Sequence, residues 1–413
     1  MSRLAGLVGS HRLDATAAWA ATVLLLGAAV RFIVAGDPDW AGFGLVVVVV
    51  TLVPPAVTRD PTITLPGELV ALAAVPVLIR ATGAFPQATP FLAAAGLALL
   101  AAIVVESYTS LEMTPRFTVV FTVITTMAFG GAWTIGLWVA DRLLSTGFLG
   151  GQDELMWDLV TATGMGIVAG VVFEVYFERT DRLRRLHGRA ARDRRRIGRA
   201  ADRIDALDGE PRTRLAVQGM QTVLAGIAAY AVVRSNWGLV VNSAVPLAIT
   251  FLPGLLRREY GYPMDVRLVL WVTVAATLHA IGAIGPYQAF DWYDSVTHTV
   301  SATLVAGVGY AVARAAELHT KDVSFDPTFR GAFVLLFVLA VGVWWEILEF
   351  GTGGIAAAIG GEPVLAQYGA DDIAKDLAFD AVGGVVVILL GSDRFDVMAR
   401  AVTHRVGLLV RRE

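Results

Sequence analysis

Apolar runs recur along nearly the whole chain, each bounded by a short polar or Arg-bearing break. Their length, about 20 residues, is what a helix needs to cross a bilayer. The pattern predicts spans near 15–35, 41–58, 66–82, 89–106, 117–142 and 157–178. A charged stretch then runs from Glu178 to Arg214. A second set of spans follows near 214–234, 237–256, 264–284, 294–315, 329–351 and 373–391. In the charged stretch Arg and Asp alternate at helical spacing, which predicts a solvated cytoplasmic helix with some attraction to anionic headgroups.

The two sets of six read as copies. TLVPPAVTRD (Thr51 to Asp60) matches TFLPGLLRRE (Thr250 to Glu259). PRFTVVFTVITTMAFGGAW (Pro115 to Trp133) matches PTFRGAFVLLFVLAVGVWW (Pro327 to Trp345). DELMWDLVTATGMG (Asp153 to Gly166) matches DDIAKDLAFDAVGG (Asp371 to Gly384). The matches come in order, with an offset that grows as loop insertions would make it. An even number of helices per copy makes the repeats parallel, related by an axis along the membrane normal.

Arg and Lys counts in short loops set the orientation. With the N-terminus inside, the inner segments hold Arg3, Arg12, Arg59, Arg116, the linker, Arg257, Arg258, Arg267, Arg314, Lys321, Arg330, Arg394 and the Arg411–Arg412 tail. The outer ends hold Arg80, Arg142, Arg234 and Lys375. Both termini are therefore expected in the cytoplasm of a multi-pass plasma-membrane protein.

Composition agrees. Of 413 residues, 56% are hydrophobic and 17% charged, with mean hydropathy +0.63, against about 25% charged in a soluble domain. A net charge of -3 offers no basic footprint for nucleic acid. The absence of Cys excludes disulfides, thiolate metal sites and Cys nucleophiles. The Arg-flanked apolar N-terminus could pass for a signal peptide, but no convincing small-residue cleavage site follows it. The fold expectation is all-α, a polytopic membrane protein with about twelve transmembrane helices as two parallel six-helix repeats. Its parts are a degenerate first repeat (1–178), the linker (179–213), a second repeat carrying the polar site (214–391) and a cytoplasmic tail (392–413).

Three apolar segments of the second repeat carry charge at a density that needs explaining. FDWYDSVTHTVSATL holds Asp291, Asp294 and His298; VGVWWEILEFGTGG holds Glu346 and Glu349; QYGADDIAKDLAFDAVGG holds Asp371, Asp372, Asp376 and Asp380. Charges there are costly unless paired, hydrated or metal-bound. Asp294 and His298 share a helix face, as do Glu346 and Glu349, while Asp372, Asp376 and Asp380 form an i, i+4, i+8 stripe. Helix capping explains Asp294, Asp371 or Asp372 equally well. It does not explain Glu346 and Glu349, which the pattern puts at a helix C-terminus where the dipole repels them, nor Asp380, two turns inside. The spacing of Lys375 turns it away from the Asp372–Asp376–Asp380 face. The counter-charge is then His298, bound protons, a metal ion or an Arg from the first copy. The first copy has Thr134, Leu137 and Ala162 at the places of Glu346, Glu349 and Asp380; only Asp153 and Asp158 answer Asp371 and Asp376. The helices are thus built without most of the acids, which argues that the acids serve function.

Other polar residues read as structure. His279 and the pair Gln218 and Gln221 fit interhelical hydrogen bonding, and Trp237, Trp292, Trp344 and Trp345 fit an aromatic belt. There is no Walker-type loop, no HExxH and no nucleophile elbow.

Tyr293-Asp294 with His298, then Glu346-Ile347-Leu348-Glu349-Phe350, then Gly369 through Asp372, Asp376 and Gly383 resemble the YjdF-like family of uncharacterised bacterial and archaeal inner-membrane proteins. The spaced H…ExxE…D…G elements are more loosely similar to the VanZ-like membrane proteins. The resemblance covers about 260–391; it departs at Asp380, where the family often has Asn, and in the degenerate first repeat. It implies a membrane protein with a site here, and no particular chemistry.

Carboxylates with an imidazole suit Mg²⁺, Mn²⁺ or Zn²⁺. The expectation is a divalent metal held by Asp294, His298, Glu346, Glu349 and Asp376, with Asp380 or Asp372 as a further ligand or general base. The setting suggests an enzyme acting on a lipid, a headgroup or a small molecule at the outer face. A cation-coupled transporter and a scaffold without turnover are the alternatives.

Overall fold

The computed structural model describes residues 12–84, 89–108, 115–185, 211–260, 266–319, 327–359, 365 and 367–390. Most of the linker (186–210) and the tail lie outside the described residues. Those described form thirteen helices. The first half has α1 (Arg12–Ala35), α2 (Pro38–Thr58), α3 (Gly67–Ala81), α4 (Thr89–Tyr108), α5 (Pro115–Leu144) and α6 (Gln152–Arg185). The second has α7 (Pro211–Val233), α8 (Trp237–Tyr260), α9 (Val266–Gly282), the single turn α10 (Pro286–Ala289), α11 (Asp291–His319), α12 (Pro327–Ile359) and α13 (Ala370–Leu390).

Seven of these helices are long and apolar enough to cross a membrane: α1, α2, α5, α6, α7, α11 and α12. Parts of α4, α8 and α9 form shorter apolar stretches. α3 runs only 15 residues. α13 is long enough, but its first half carries Asp371, Asp372, Lys375, Asp376 and Asp380. Large apolar side chains such as Val34, Val57, Val233 and Leu390 stay exposed on the helix faces, as lipid-facing residues do.

Neighbour relations follow the same scheme in both halves. α1 packs on α2 and α3, and α7 on α8 and α9. α4 packs on α3, α5 and α6; α11 packs on α9, α12 and α13. α5 lies along α6 as α12 lies along α13. The halves meet where α5 packs on α12, with α13 touching α5 and α6 touching α12. Met127, Met156, Leu339, Val343, Ile373 and Leu377 from these four helices form one buried core. Gly131 lets the central pair close up, since a Cβ there would lie 3.0 Å from Val343 Cγ2.

Two local expectations need correction. α12 does not end near residue 351 but continues through GTGGIAAAI to Ile359. Its glycines do not stop it, because an apolar surround offers the backbone no partner better than its own helix. Glu346 therefore lies thirteen residues before the helix end, about 20 Å inside it, and the argument from a repelling helix terminus falls. Lys375, in turn, does reach the acidic face: its Nζ lies 3.1 Å from Asp372 Oδ1, because residues three apart on a helix are neighbours.

Candidate functional site

Three helices converge on His298. α11 contributes Asp294 and His298 one turn apart, and α13 contributes Asp376 and Asp380 one turn apart. α12 contributes Glu346 and Glu349. Their close approach rests on two glycines. A Cβ on Gly383 would lie 2.6 Å from the Thr299 carbonyl oxygen and 2.7 Å from Ala302 Cβ, so α13 meets the backbone of α11 directly. A Cβ on Gly342 would lie 2.5 Å from Asp380 Oδ2, so α12 leaves that carboxylate its space. Beside this contact the Thr299 hydroxyl donates to the Ser295 carbonyl (2.8 Å) and approaches the Phe379 carbonyl of α13 (3.3 Å).

The imidazole is addressed on both nitrogens. Nδ1 lies 3.2 Å from Asp380 Oδ1. Nε2 lies 3.7 Å from Asp294 Oδ1 and 3.8 Å from Asp376 Oδ2. Glu346, Asp376 and Asp380 are buried, at 2%, 4% and 8% exposure. Asp376 Oδ1 is buried without a hydrogen-bond partner. Glu349 faces His298, Asp376 and Asp294 electrostatically, and Glu346 faces Glu349, His298 and Asp380. One imidazolium does not balance five carboxylates in a low-dielectric interior.

Asp294, His298 and Asp376 can hold a metal ion, their ligand atoms all lying within 4.8 Å of one another. Ligand atoms at about 2.0–2.1 Å in a tetrahedral shell lie about 3.4 Å apart. The 3.7 and 3.8 Å separations therefore need a contraction of a few tenths of an ångström. The other face of the ring fits too, because metal-binding histidines donate their second N–H to a carboxylate, the place Asp380 occupies.

Glu346 has a partner that sequence reasoning missed. Gln367 Nε2 donates to Glu346 Oε2 at 2.7 Å and to its backbone carbonyl at 2.9 Å. Gln367 Oε1 in turn accepts from Gln152 Nε2, 3.1 Å away at the start of α6. Neither glutamine belongs to a repeated motif; their one signal is position, Gln152 opening the sixth long helix of its half and Gln367 standing three residues before that of the other.

The remaining acids lie at the rim. Asp371 is exposed and takes two hydrogen bonds from Arg142, at 2.8 and 2.7 Å, and one from Trp138 Nε1, at 2.8 Å. An Arg of the first half does supply counter-charge, but to the rim. Asp372 accepts from the Tyr368 backbone N–H (3.3 Å) and pairs with Lys375, which is the capping role. Asp291 is exposed.

Behind Glu346, Trp345 meets His279 edge to face at 5.9 Å, so it belongs to the interior and not to the aromatic belt. His279 Nδ1 lies 3.1 Å from the Tyr287 hydroxyl and Nε2 lies 3.4 Å from Asn242 Oδ1. Gln221 Nε2 donates to the Thr250 hydroxyl across α7 and α8 at 3.1 Å, whereas Gln218 is exposed. Trp237, Trp292 and Trp344 are exposed, as belt residues are.

The fold and the cluster define a polytopic, all-helical membrane protein with a half-buried histidine and buried carboxylates between three helices. Residues 215–396 match a family described as "Predicted membrane protein (DUF2238)". Residues 2–64 match one described as "Domain of unknown function (DUF8268)". No curated protein and no solved structure matches the chain.

Proposed function

We propose that the second half holds a divalent metal ion between α11 and α13 and uses it as a membrane enzyme on a lipid or headgroup at the outer face. The observation that carries this is the double engagement of His298, with Asp380 on Nδ1 and the Asp294–Asp376 pair on Nε2. Asp376 Oδ1, buried without a hydrogen-bond partner, has lone pairs left for a cation. His298, Asp294 and Asp376 are the inner ligands. Glu346 and Glu349 face the same charges and close the shell or hold a proton. Asp380 orients His298, a duty that competes with acting as general base, and Asp372 shapes the rim. Mg²⁺, Mn²⁺ and Zn²⁺ suit the donor set; bound, the ion would polarise a substrate oxygen or activate water.

The twelve-span, two-repeat architecture is part of the same reading. Its support is the matched neighbour scheme of the halves. The domain limits 1–178, 179–213, 214–391 and 392–413 follow from it. Cytoplasmic termini in the plasma membrane rest on the Arg and Lys counts, and likeness to the YjdF-like proteins on the three motif segments.

Metal analysis of the purified protein tests the core claim. Near-stoichiometric metal that falls on His298→Gln or Asp376→Asn supports it; a folded wild type that neither contains nor binds divalent metal removes it. A second reading, cation-coupled transport, gains from the position of Glu346 well inside α12. Cation-gradient-driven uptake in proteoliposomes would favour it over the enzyme.

A further inference from the structure

The acid-poor half reaches the buried acids of the second half through a relay. Glu346 as a carboxylate only accepts hydrogen bonds. Gln367 meets it with the NH₂ end of its amide, and both N–H groups are used, on Oε2 and on the Glu346 backbone carbonyl. The carbonyl end then faces away, toward Gln152 Nε2. An amide has two ends of opposite character, so a group at position 152 that can only accept would work against the end that Glu346 needs. We propose that Gln152 is a positioning residue for the second-half site: by donating to Gln367 Oε1 it satisfies the end of that amide turned away from Glu346, and so holds the NH₂ group on the Glu346 carboxylate.

The placement allows it. Gln152 stands at the first position of α6 and is half-buried, so substitution there costs little in packing. Gln367 precedes Gly369, whose φ of +115° turns the chain into α13. The same short segment is tied to the first half a second time through Asp371, held by Arg142 and Trp138. The proposal rests on placing Glu346 in the site, but it does not require that a metal be bound.

The test is a coupling measurement on the full-length, chelator-treated protein in detergent. Gln152→Lys keeps a donor and should melt like wild type. Gln152→Glu presents an acceptor, forces the Gln367 amide to turn over, and sets its oxygen against the Glu346 carboxylate; Tm should fall by a few degrees. Adding Glu346→Gln supplies an NH₂ group to the turned amide and should restore part of that loss, the backbone carbonyl of residue 346 remaining unpaired. In a Gln367→Leu background the three substitutions at position 152 or 346 should no longer influence one another. A loss on Gln152→Glu that is the same with or without Glu346→Gln and Gln367→Leu overturns the relay. Should Gln152→Glu not fold, comparison of Gln152→Ala with Gln152→Lys in the same backgrounds decides the question. A separate Mn²⁺ titration reads the site: affinity should weaken in Gln152→Ala, by less than the roughly 10-fold that loss of a direct outer-shell partner costs, and hold in Gln152→Lys. A wild type that binds no Mn²⁺ defeats the metal reading, while the melting cycle still decides the relay.

Discussion

His298 and Asp380 are bound ring to carboxylate across the α11–α13 contact, Nδ1 to Oδ1 at 3.2 Å, with Asp380 itself buried. The consequence is a fixed ring: with Asp380 accepting from Nδ1–H, the Nε2 lone pair points at a cation shared with Asp294 and Asp376. Asp380→Asn offers a carbonyl or an amino group to Nδ1 and loses the charge. Divalent-metal affinity should drop about 10–100-fold, read by Mn²⁺ titration, with little change in helix content. Equal affinity in wild type and Asp380→Asn would show that the ring does not bind metal through Nε2.

The buried charges should cost stability when no cation is present. Asp376 Oδ1 lies in the interior without a partner, and an uncompensated buried carboxylate is unfavourable. In chelator, Asp376→Asn should melt above the wild type. Saturating Mn²⁺ should reverse the order, since binding at about 100 times Kd adds about 2.7 kcal/mol to a protein that binds. A variant that melts below the wild type in chelator would mean that Asp376 is a structural polar group.

The membrane class and the three motif segments were legible because both are periodic. Apolar runs repeat at bilayer length, and Asp294/His298, Glu346/Glu349 and Asp376/Asp380 each sit at i, i+3 or i, i+4 spacing. What periodicity does not carry is contact between segments distant in the chain. Gln152 and Gln367 are 215 residues apart, and nothing in either neighbourhood names the other. The end of α12 was misplaced for a different reason: glycine is a helix stop in water, but Gly351, Gly353 and Gly354 stand in a helix with no better backbone partner available. Trp345 read as belt because its neighbour Trp344 is; one residue of helical rotation separates lipid from His279.

Gly383 is the position where a single methyl group should separate α11 from α13. Its Cβ would fall 2.6 Å from backbone and 2.7 Å from the Ala302 side chain, so relief requires a helix shift. Gly383→Ala should cost about 1–3 kcal/mol, seen as a lower Tm, and should weaken metal binding by moving Asp376 and Asp380 away from His298. Gly136→Ala is the control, since nothing lies within 4 Å of a Cβ there. Comparable melting of the two variants would refute the close contact.

The Arg142–Asp371 bridge has good geometry at 2.7–2.8 Å but is open to solvent, with side-chain exposures of 61% and 58%. Exposed pairs contribute about 0–1 kcal/mol and are screened by salt. Arg142→Gln with Asp371→Asn in a double-mutant cycle should therefore give a coupling below about 1 kcal/mol, shrinking further in high salt. A coupling of several kcal/mol would mean that the rim is far drier than its exposure says.

Topology tests the frame in which the rim is called outer. The orientation puts the α12–α13 connection outside and the α2–α3 turn inside, from the excess of Arg at the latter set of ends. The chain has no Cys, so single cysteines report without background. Tyr368 is 54% exposed beside the site, and Arg59 is exposed at the end of α2. In intact cells a membrane-impermeant thiol reagent should label Tyr368→Cys and spare Arg59→Cys until the membrane is opened. Arg234→Cys, between α7 and α8, should behave like Tyr368→Cys, because in two parallel repeats of six the turn after the first helix and the turn before the last share a face. Labelling of Arg59→Cys alone would invert the protein and move the site to the cytoplasmic face, where its substrate would be sought instead. Labelling of Arg234→Cys together with Arg59→Cys, against Tyr368→Cys, would break the six-helix count itself and with it the parallel relation of the two halves.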